Sequence, residues 1–174
     1  MKKPFFLLLA SGLLGVSPVW DDGEWDQART AHERGDYAAA IVRPLAEKGY
    51  AFAQYNLGVL YDQGKGVPQD NAQAMQWYQK AAEQGLPQAQ VNLGIMYEEG
   101  QGMKPDYGLA YFWYALAESQ GDGQAPQAKK DIAGKMTPAQ IEDAERKVKE
   151  YKATHTFSIP PLPMPDSGSA HGNG

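Results

Sequence analysis

The chain has 174 residues, of which 43% are hydrophobic and 21% charged, so it is long enough to bury a core and is not expected to be disordered. Its net charge of -5 and its isoelectric point near 5.2 indicate no basic surface, so nucleic acid is not an expected partner. With no cysteine and with only His32, His155 and His171, disulfides and thiol nucleophiles are excluded and we expect no metal or other cofactor.

Residues 1–20 have the pattern of a secretory signal peptide. Lys2 and Lys3 precede an apolar stretch, 5–19, which is typical of such signals. The alternative is a buried N-terminal helix, but this stretch has no polar face to leave in water. The cleavage site stays open, because Pro18 follows the small residues that would precede it. We therefore predict a periplasmic or secreted protein that touches a membrane only through this segment, if it is not removed.

Residues 22–49 are predicted to form a degenerate first repeat of two helices. The first helix is expected at 24–34, and the second is expected to begin at Asp36. The assignment rests on an offset of 36 residues: Ala38, Leu45, Ala46 and Gly49 stand before Ala74, Ala81, Ala82 and Gly85. Pro44 lies inside the second helix, where its missing amide is expected to kink the helix or loosen its hydrogen bonding.

Two full repeats follow at 50–85 and 86–121, with the same offset of 36 residues throughout. The matched pairs include Gln54 with Gln90, Asn56 with Asn92, Leu57 with Leu93, Gly58 with Gly94, Tyr61 with Tyr97, Trp77 with Trp113 and Tyr78 with Tyr114. Apolar residues in each half recur at helical spacing, which predicts two helices per repeat.

Glycine and aspartate residues are predicted to mark the helix ends of each repeat. The Gly-x-Gly turn that begins at Gly64 should end the first helix, and Asp70 should cap the second. Gly85 is expected to end the second helix by adopting a left-handed backbone conformation. Such a turn could be mistaken for a phosphate-binding loop, but it recurs at Gly100 with the repeat period, which favours a connecting turn.

A capping helix pair is predicted at 122–153. Thr137, Pro138 and Gln140 form a capping box that starts the last helix, which should continue to about Tyr151. Its polar outer residues are typical of the end of a helical solenoid. The remaining stretch, 154–174, is rich in proline and glycine and is predicted to be a disordered tail.

These motifs resemble the Sel1-like repeat family, which is related to tetratricopeptide repeats. The resemblance rests on Ala-Gln-x-Asn-Leu-Gly-x-x-Tyr, on the Gly-x-Gly turn, on the capping aspartate, and on Trp-Tyr-x-x-Ala-Ala-x-x-Gly within residues 50–121. It implies an all-α fold, a right-handed α-α superhelix or solenoid of helix-turn-helix repeats. It also implies work as an adaptor or scaffold that holds a protein or peptide partner.

The relationship to tetratricopeptide repeats also implies where a partner would bind. There the first helix of each pair lines a concave groove, and the corresponding positions in this sequence are Tyr55, Asn56, Val59, Asp62, Val91, Asn92, Ile95 and Glu98. Asparagine amides suit an extended peptide backbone. The alternative is that both asparagines belong to the repeat pattern and bond to neighbouring backbone, as buried amides must.

Catalytic motifs are absent from the sequence, and acidic pairs such as Glu98 with Glu99 lack an apolar setting that would separate their pKa values. The aromatic run 111–114 could stack on a sugar, although its recurrence as Trp77 and Tyr78 favours a core role for Trp113 and Tyr114. We therefore predict a noncatalytic protein-protein interaction scaffold of the envelope or secreted space. The alternative is a cell-wall glycan or β-lactam-type ligand binder or hydrolase, as the resemblance implies for some secreted members, which are rich in cysteine.

Overall fold

The structure is a computed structural model that describes residues 37–101 and 104–157. The predicted signal peptide, the predicted helix at 24–34 and most of the predicted tail lie outside these residues. The described part is all-α and contains seven helices: α1 Tyr37–Glu47, α2 Ala51–Gln63, α3 Asn71–Glu83, α4 Pro87–Glu99, α5 Tyr107–Ser119, α6 Ala125–Ala133 and α7 Pro138–Thr154. None of them is long and apolar enough to cross a membrane.

The helices pack mainly against their neighbours in the chain. The closest associations join α2 with α3 and α4 with α5, and further contacts join α1 with α2, α3 with α4, and α5 with α6. This stacking of helical pairs is the architecture of a solenoid. The last helix departs from it, because α7 packs mainly on α5 and not on α6. The two C-terminal helices therefore both pack on α5. The sequence predicts instead that they pack mainly on each other.

The helix ends follow the sequence prediction because each is determined by one or two local residues. Gly64 and Gly100 end α2 and α4 in the left-handed conformation, at φ 63° and 68°. The carboxylates of Asp70 and Asp106 accept hydrogen bonds from free amides in the first turns of α3 and α5. The capping box at Thr137 is also present. These predictions are confirmed.

The C-terminal boundary lies later than predicted. Helix α7 continues to Thr154, and two of the three residues after it, His155 and Phe157, contact the helical domain. The ring of His155 stacks on Tyr151 with centroids 3.9 Å apart. Phe157 packs on the main core and lies so close to Gly85 that a Cβ there would come within 2.5 Å of it. Residues 154–157 are therefore part of the packed domain.

Large rings and small residues fit together inside each repeat. Tyr78 and Tyr114 are 1% exposed, and their rings lie directly against Gly58 and Gly94. A Cβ would come within 2.6 Å of the Tyr78 ring at the first glycine and within 2.5 Å of the Tyr114 ring at the second. Close packing of this kind leaves no room for a side chain at either glycine. The repeated glycines are thus explained by the core.

Buried glutamines tie successive repeats together. Gln54 and Gln90 each donate to a backbone carbonyl oxygen at the end of the preceding helix, at 3.2 and 3.0 Å. Gln84 then donates to Gln54, and Gln120 donates to Gln90, both at 2.7 Å. Burying an amide is unfavourable unless it is hydrogen-bonded, and here each buried amide has partners on both sides.

Candidate binding surface

The predicted groove residues lie on α2 and α4, the first helices of the two repeats. We call the surface formed by their outward side chains the A-face. It is defined by Phe52, Asn56, Val59, Asp62, Asn92, Ile95 and Glu98. Asn56 and Ile95 are exposed, whereas Tyr55, Val59, Asp62, Asn92 and Glu98 are half-buried. The structure therefore brings most of the predicted residues to one surface.

Val91 does not belong to this surface. It is 7% exposed and packs in a core cluster with Tyr114 and Ile132. The helical period explains the difference, because residue 91 is turned about 100° from Asn92 and faces α5 and the C-terminal helices. Tyr55, at the same register one repeat earlier, is half-buried against Tyr78, with ring centroids 5.8 Å apart. The prediction of Val91 as a binding residue is contradicted by its burial.

Phe52 belongs to the A-face although the sequence analysis missed it. Its side chain is 45% exposed at the start of α2, which is unusual for a large apolar ring. It precedes Asn56 by four residues and Val59 by seven, so the three share one side of the helix. This spacing is visible in the sequence and could have identified the residue.

The two asparagines separate into different roles. Asn92 is half-buried near Tyr78: burial raises the pKa of Tyr78, and the Asn92 side chain opposes that effect. Asn56 is exposed. The amides that bond to neighbouring backbone are those of Gln54 and Gln90. Asn56 is therefore available to a partner, and Asn92 is partly engaged in the core.

Each repeat places a tyrosine hydroxyl against an acidic residue of the A-face. Tyr78 donates to Asp62 at 3.4 Å, and Tyr114 donates to Glu98 at 2.9 Å. Glu98 also accepts a hydrogen bond from Lys135 at 2.8 Å. Burial raises the pKa of Glu98, but the hydrogen bonds from Lys135 and Tyr114 outweigh burial and hold the pKa below its ordinary value.

The lowered pKa of Glu98 predicts a pH-dependent contribution to stability. Because the folded-state pKa lies below that of the unfolded chain, the contribution is present above pH of about 4.5 and is lost as the pH falls through the folded-state value. The free energy of unfolding of Glu98→Gln should therefore be lower than that of wild type at pH 7, and this difference should narrow as the pH falls below about 4.5. Urea denaturation across this range measures it.

Lys135→Gln removes the cation that contacts Glu98 and is the matched variant. The difference in free energy of unfolding between wild type and Lys135→Gln should also narrow as the pH falls, since both substitutions disrupt the same ion pair. A gap that stays constant with pH in both variants would contradict the assignment.

The aromatic run at 111–114 is engaged in packing. Trp113 and Tyr114 are buried, as the repeat predicts, and Phe112 meets Tyr151 edge-on with centroids 5.4 Å apart. Tyr111 is 5% exposed and donates to Glu145, and its pKa is raised to about 12 by burial and by this contact. These rings therefore support α7 and present little surface on which a sugar could stack.

A mixed-charge cleft of about 430 Å³ lies between α5, α6 and α7. Its lining includes Glu118, which pairs with Lys129, and Glu145, which accepts from Tyr111. Throughout residues 37–101 and 104–157, including this cleft, no group of three or more histidine, aspartate or glutamate side chains is placed to hold a metal ion. These acids of the cleft are thus engaged by neighbouring side chains, as Glu98 is on the A-face.

Comparison with known proteins agrees with this architecture. A family model described as the Sel1 repeat matches residues 51–86 and 87–122, one residue later than the boundaries predicted from the sequence. The packing defines a helical-repeat solenoid. The chain therefore contains two Sel1 repeats.

Two solved structures are similar to the chain. A protective antigen present in uropathogenic Escherichia coli strains, which displays an SLR fold, is 30% identical over 81% of this chain and 35% of that chain, with a TM-score of 0.64. A Sel1 repeat protein from Oxalobacter formigenes is 37% identical over 51% of this chain and 37% of that chain, with a TM-score of 0.49. The chain thus spans about a third of the length of these structures. No curated protein matches the sequence.

Proposed function

We propose that this protein is a noncatalytic interaction scaffold that binds an extended segment of a partner protein across the A-face. Sel1 repeats commonly serve as protein-interaction scaffolds, and the family is generally noncatalytic. The observation that supports the A-face is the exposure of Phe52 and Ile95, which are 45% and 36% exposed. The other conspicuous aromatic and glycine residues of the repeats are used in packing.

The chemistry of the A-face suits an extended chain. Apolar side chains bind best where they are removed from water, and amides beside them supply hydrogen bonds to a peptide backbone. Phe52, Val59 and Ile95 provide the first kind of group, and Asn56 provides the second. Side chains on the first helices of the two repeats, at a constant offset in the sequence, can contact successive residues of one partner segment.

The proposal includes the bacterial envelope or the secreted space as the place of action. This part rests on the N-terminal pattern of two lysines followed by the apolar stretch 5–19. The absence of cysteine is compatible with either side of a membrane, so it does not decide the compartment.

Site-specific photo-crosslinking in the native host tests the proposal. A photo-reactive amino acid is placed at Ile95, and the control carries it at Gln76, which is exposed on the outer side of α3. We expect a discrete crosslinked protein from position 95 only, recovered in the periplasmic fraction or the medium. Equal crosslinking at both positions would contradict the A-face, and recovery from the cytoplasm would contradict the proposed compartment.

A further inference from the structure

We propose that the A-face selects a basic partner segment, in which a lysine or arginine side chain is received by Asp62 and an adjacent aliphatic side chain packs beside Val59 and Ile95. This inference rests on the proposed function, since it names the chemistry of the segment that the A-face binds. It follows from comparing the two repeats position by position.

The second repeat contains a complete version of the site. Glu98 accepts from the Tyr114 hydroxyl at 2.9 Å and from the Lys135 ammonium at 2.8 Å. The lysine comes from just beyond α6, the helix that follows in the stack. An acidic side chain with one tyrosine and one ammonium donor is thus satisfied within the chain.

The repeat at 50–85 contains the same site without the cation. Asp62 occupies the register of Glu98 and accepts from the Tyr78 hydroxyl at 3.4 Å. In the sequence, the residue 36 positions before Lys135 is Glu99. At this offset the chain therefore has an acid and not a base. Within the described ranges, none of the ion pairs includes Asp62.

The neighbours of Asp62 define what else the partner needs. Val59 precedes it by three residues, or about 4.5 Å along the helix axis. Val59 is half-buried, and Ile95 on α4 is 36% exposed. An extended chain advances about 3.3 Å per residue, so the basic and aliphatic side chains of the partner should be one or two residues apart. A lysine or arginine can also lay its own apolar stem along this surface.

Charge complementarity favours a basic segment over an acidic or neutral one. A like charge opposite Asp62 would be repelled, whereas an ammonium or guanidinium would be attracted and would form a charge-assisted hydrogen bond. Because Asp62 is half-buried, its pairing should contribute more than that of a fully exposed carboxylate.

Selection of peptides from a displayed library of random 12-residue sequences, on the purified chain, tests the inference. We expect wild type to enrich lysine or arginine next to valine, isoleucine or leucine. Asp62→Asn should weaken binding of the best peptide about two- to fivefold, as measured by fluorescence anisotropy. Asp62→Lys should reverse the preference towards acidic peptides.

Glu83→Gln is the matched control for charge, because Glu83 is exposed on the outer side of α3. It should leave both the preference and the affinity unchanged. Circular dichroism and thermal melting show that each variant is folded, and Asp62→Lys gives a gain of preference that a general loss of structure cannot mimic.

The remaining outcomes separate this inference from the proposed function. If peptides without a basic preference bind and Ile95→Glu abolishes their binding, the A-face is a binding surface and the basic selectivity is wrong. A basic preference that survives both Asp62 substitutions would also overturn it. If no peptide is enriched over background, both the inference and the proposed function are contradicted.

Discussion

Leu93→Ala is expected to lower the free energy of unfolding by about 3 kcal/mol or more. Leu93 is fully buried and belongs to the core cluster that joins the two Sel1 repeats, together with Tyr78, Leu86 and Met96. Removing its methyl groups loses the favourable free energy of their burial. It also leaves a cavity that the close-packed neighbours fill only in part. Urea denaturation followed by circular dichroism measures the effect.

A second effect of Leu93→Ala is expected, because Leu93 lies at the junction between the two repeats. In a solenoid, each repeat is stabilised by the interface with its neighbour, so a cavity at this junction should weaken the coupling between repeats as well as the core. The transition of Leu93→Ala should therefore be broader, with a smaller dependence on urea concentration.

Ile95→Ala is the control for Leu93→Ala. Ile95 lies two residues further along the same helix, loses a similar side chain and is 36% exposed. Its free energy of unfolding should stay within about 0.5 kcal/mol of wild type. Equal destabilisation by the two substitutions would contradict the assignment of Leu93 to the core and of Ile95 to the A-face.

Gly94→Ala is the second substitution for which we expect a large effect, a loss of about 2 kcal/mol of stability. The added Cβ would lie 2.5 Å from Cε1 of Tyr114, inside van der Waals contact. The ring cannot turn aside easily, because it is buried and its hydroxyl donates to Glu98. Alanine favours a helix over glycine by about 1 kcal/mol, so the steric cost must exceed that gain.

Gly123→Ala provides the matched comparison, because a Cβ at Gly123 meets nothing within 4 Å. It should be neutral or stabilising by a few tenths of a kcal/mol. Tyr114→Leu combined with Gly94→Ala should be less destabilised than the sum of the two single variants, since a smaller side chain relieves the contact. Additivity of the two, or equal stability of the two alanine variants, would contradict the packing described here.

Much of the fold could be predicted because its signals are local or periodic. The caps at Asp70 and Thr137 depend on residues three positions apart, and the left-handed turn at Gly64 needs a residue without a side chain. The offset of 36 residues then relates one repeat to the next. Such features need no knowledge of distant contacts.

The features that escaped prediction depend on contacts between residues far apart in the sequence. Val91 and Tyr55 share a register, yet Val91 packs in a cluster with residues of α6 and is more deeply buried. Lys135 reaches Glu98 across 37 positions, and nothing in either residue's local sequence indicates the pair. The packing of α7 on α5 likewise follows from which apolar surface remained uncovered.

The candidate site was predicted only in outline for the same reason. The resemblance to tetratricopeptide repeats selects the right helices but not the burial of each position. The difference between Asp62 and Glu98 becomes visible only when the donors around each carboxylate are known. Exposure likewise separates Phe52 from the many aromatic residues that belong to the core.

The most direct test of the A-face is a nuclear magnetic resonance titration of the labelled chain with the partner segment identified by crosslinking. We expect the largest changes in chemical shift at Phe52, Asn56 and Ile95, with little change at Gln76 and Glu83 on the outer side of α3. Changes concentrated on that outer side, with the A-face unaffected, would contradict the account.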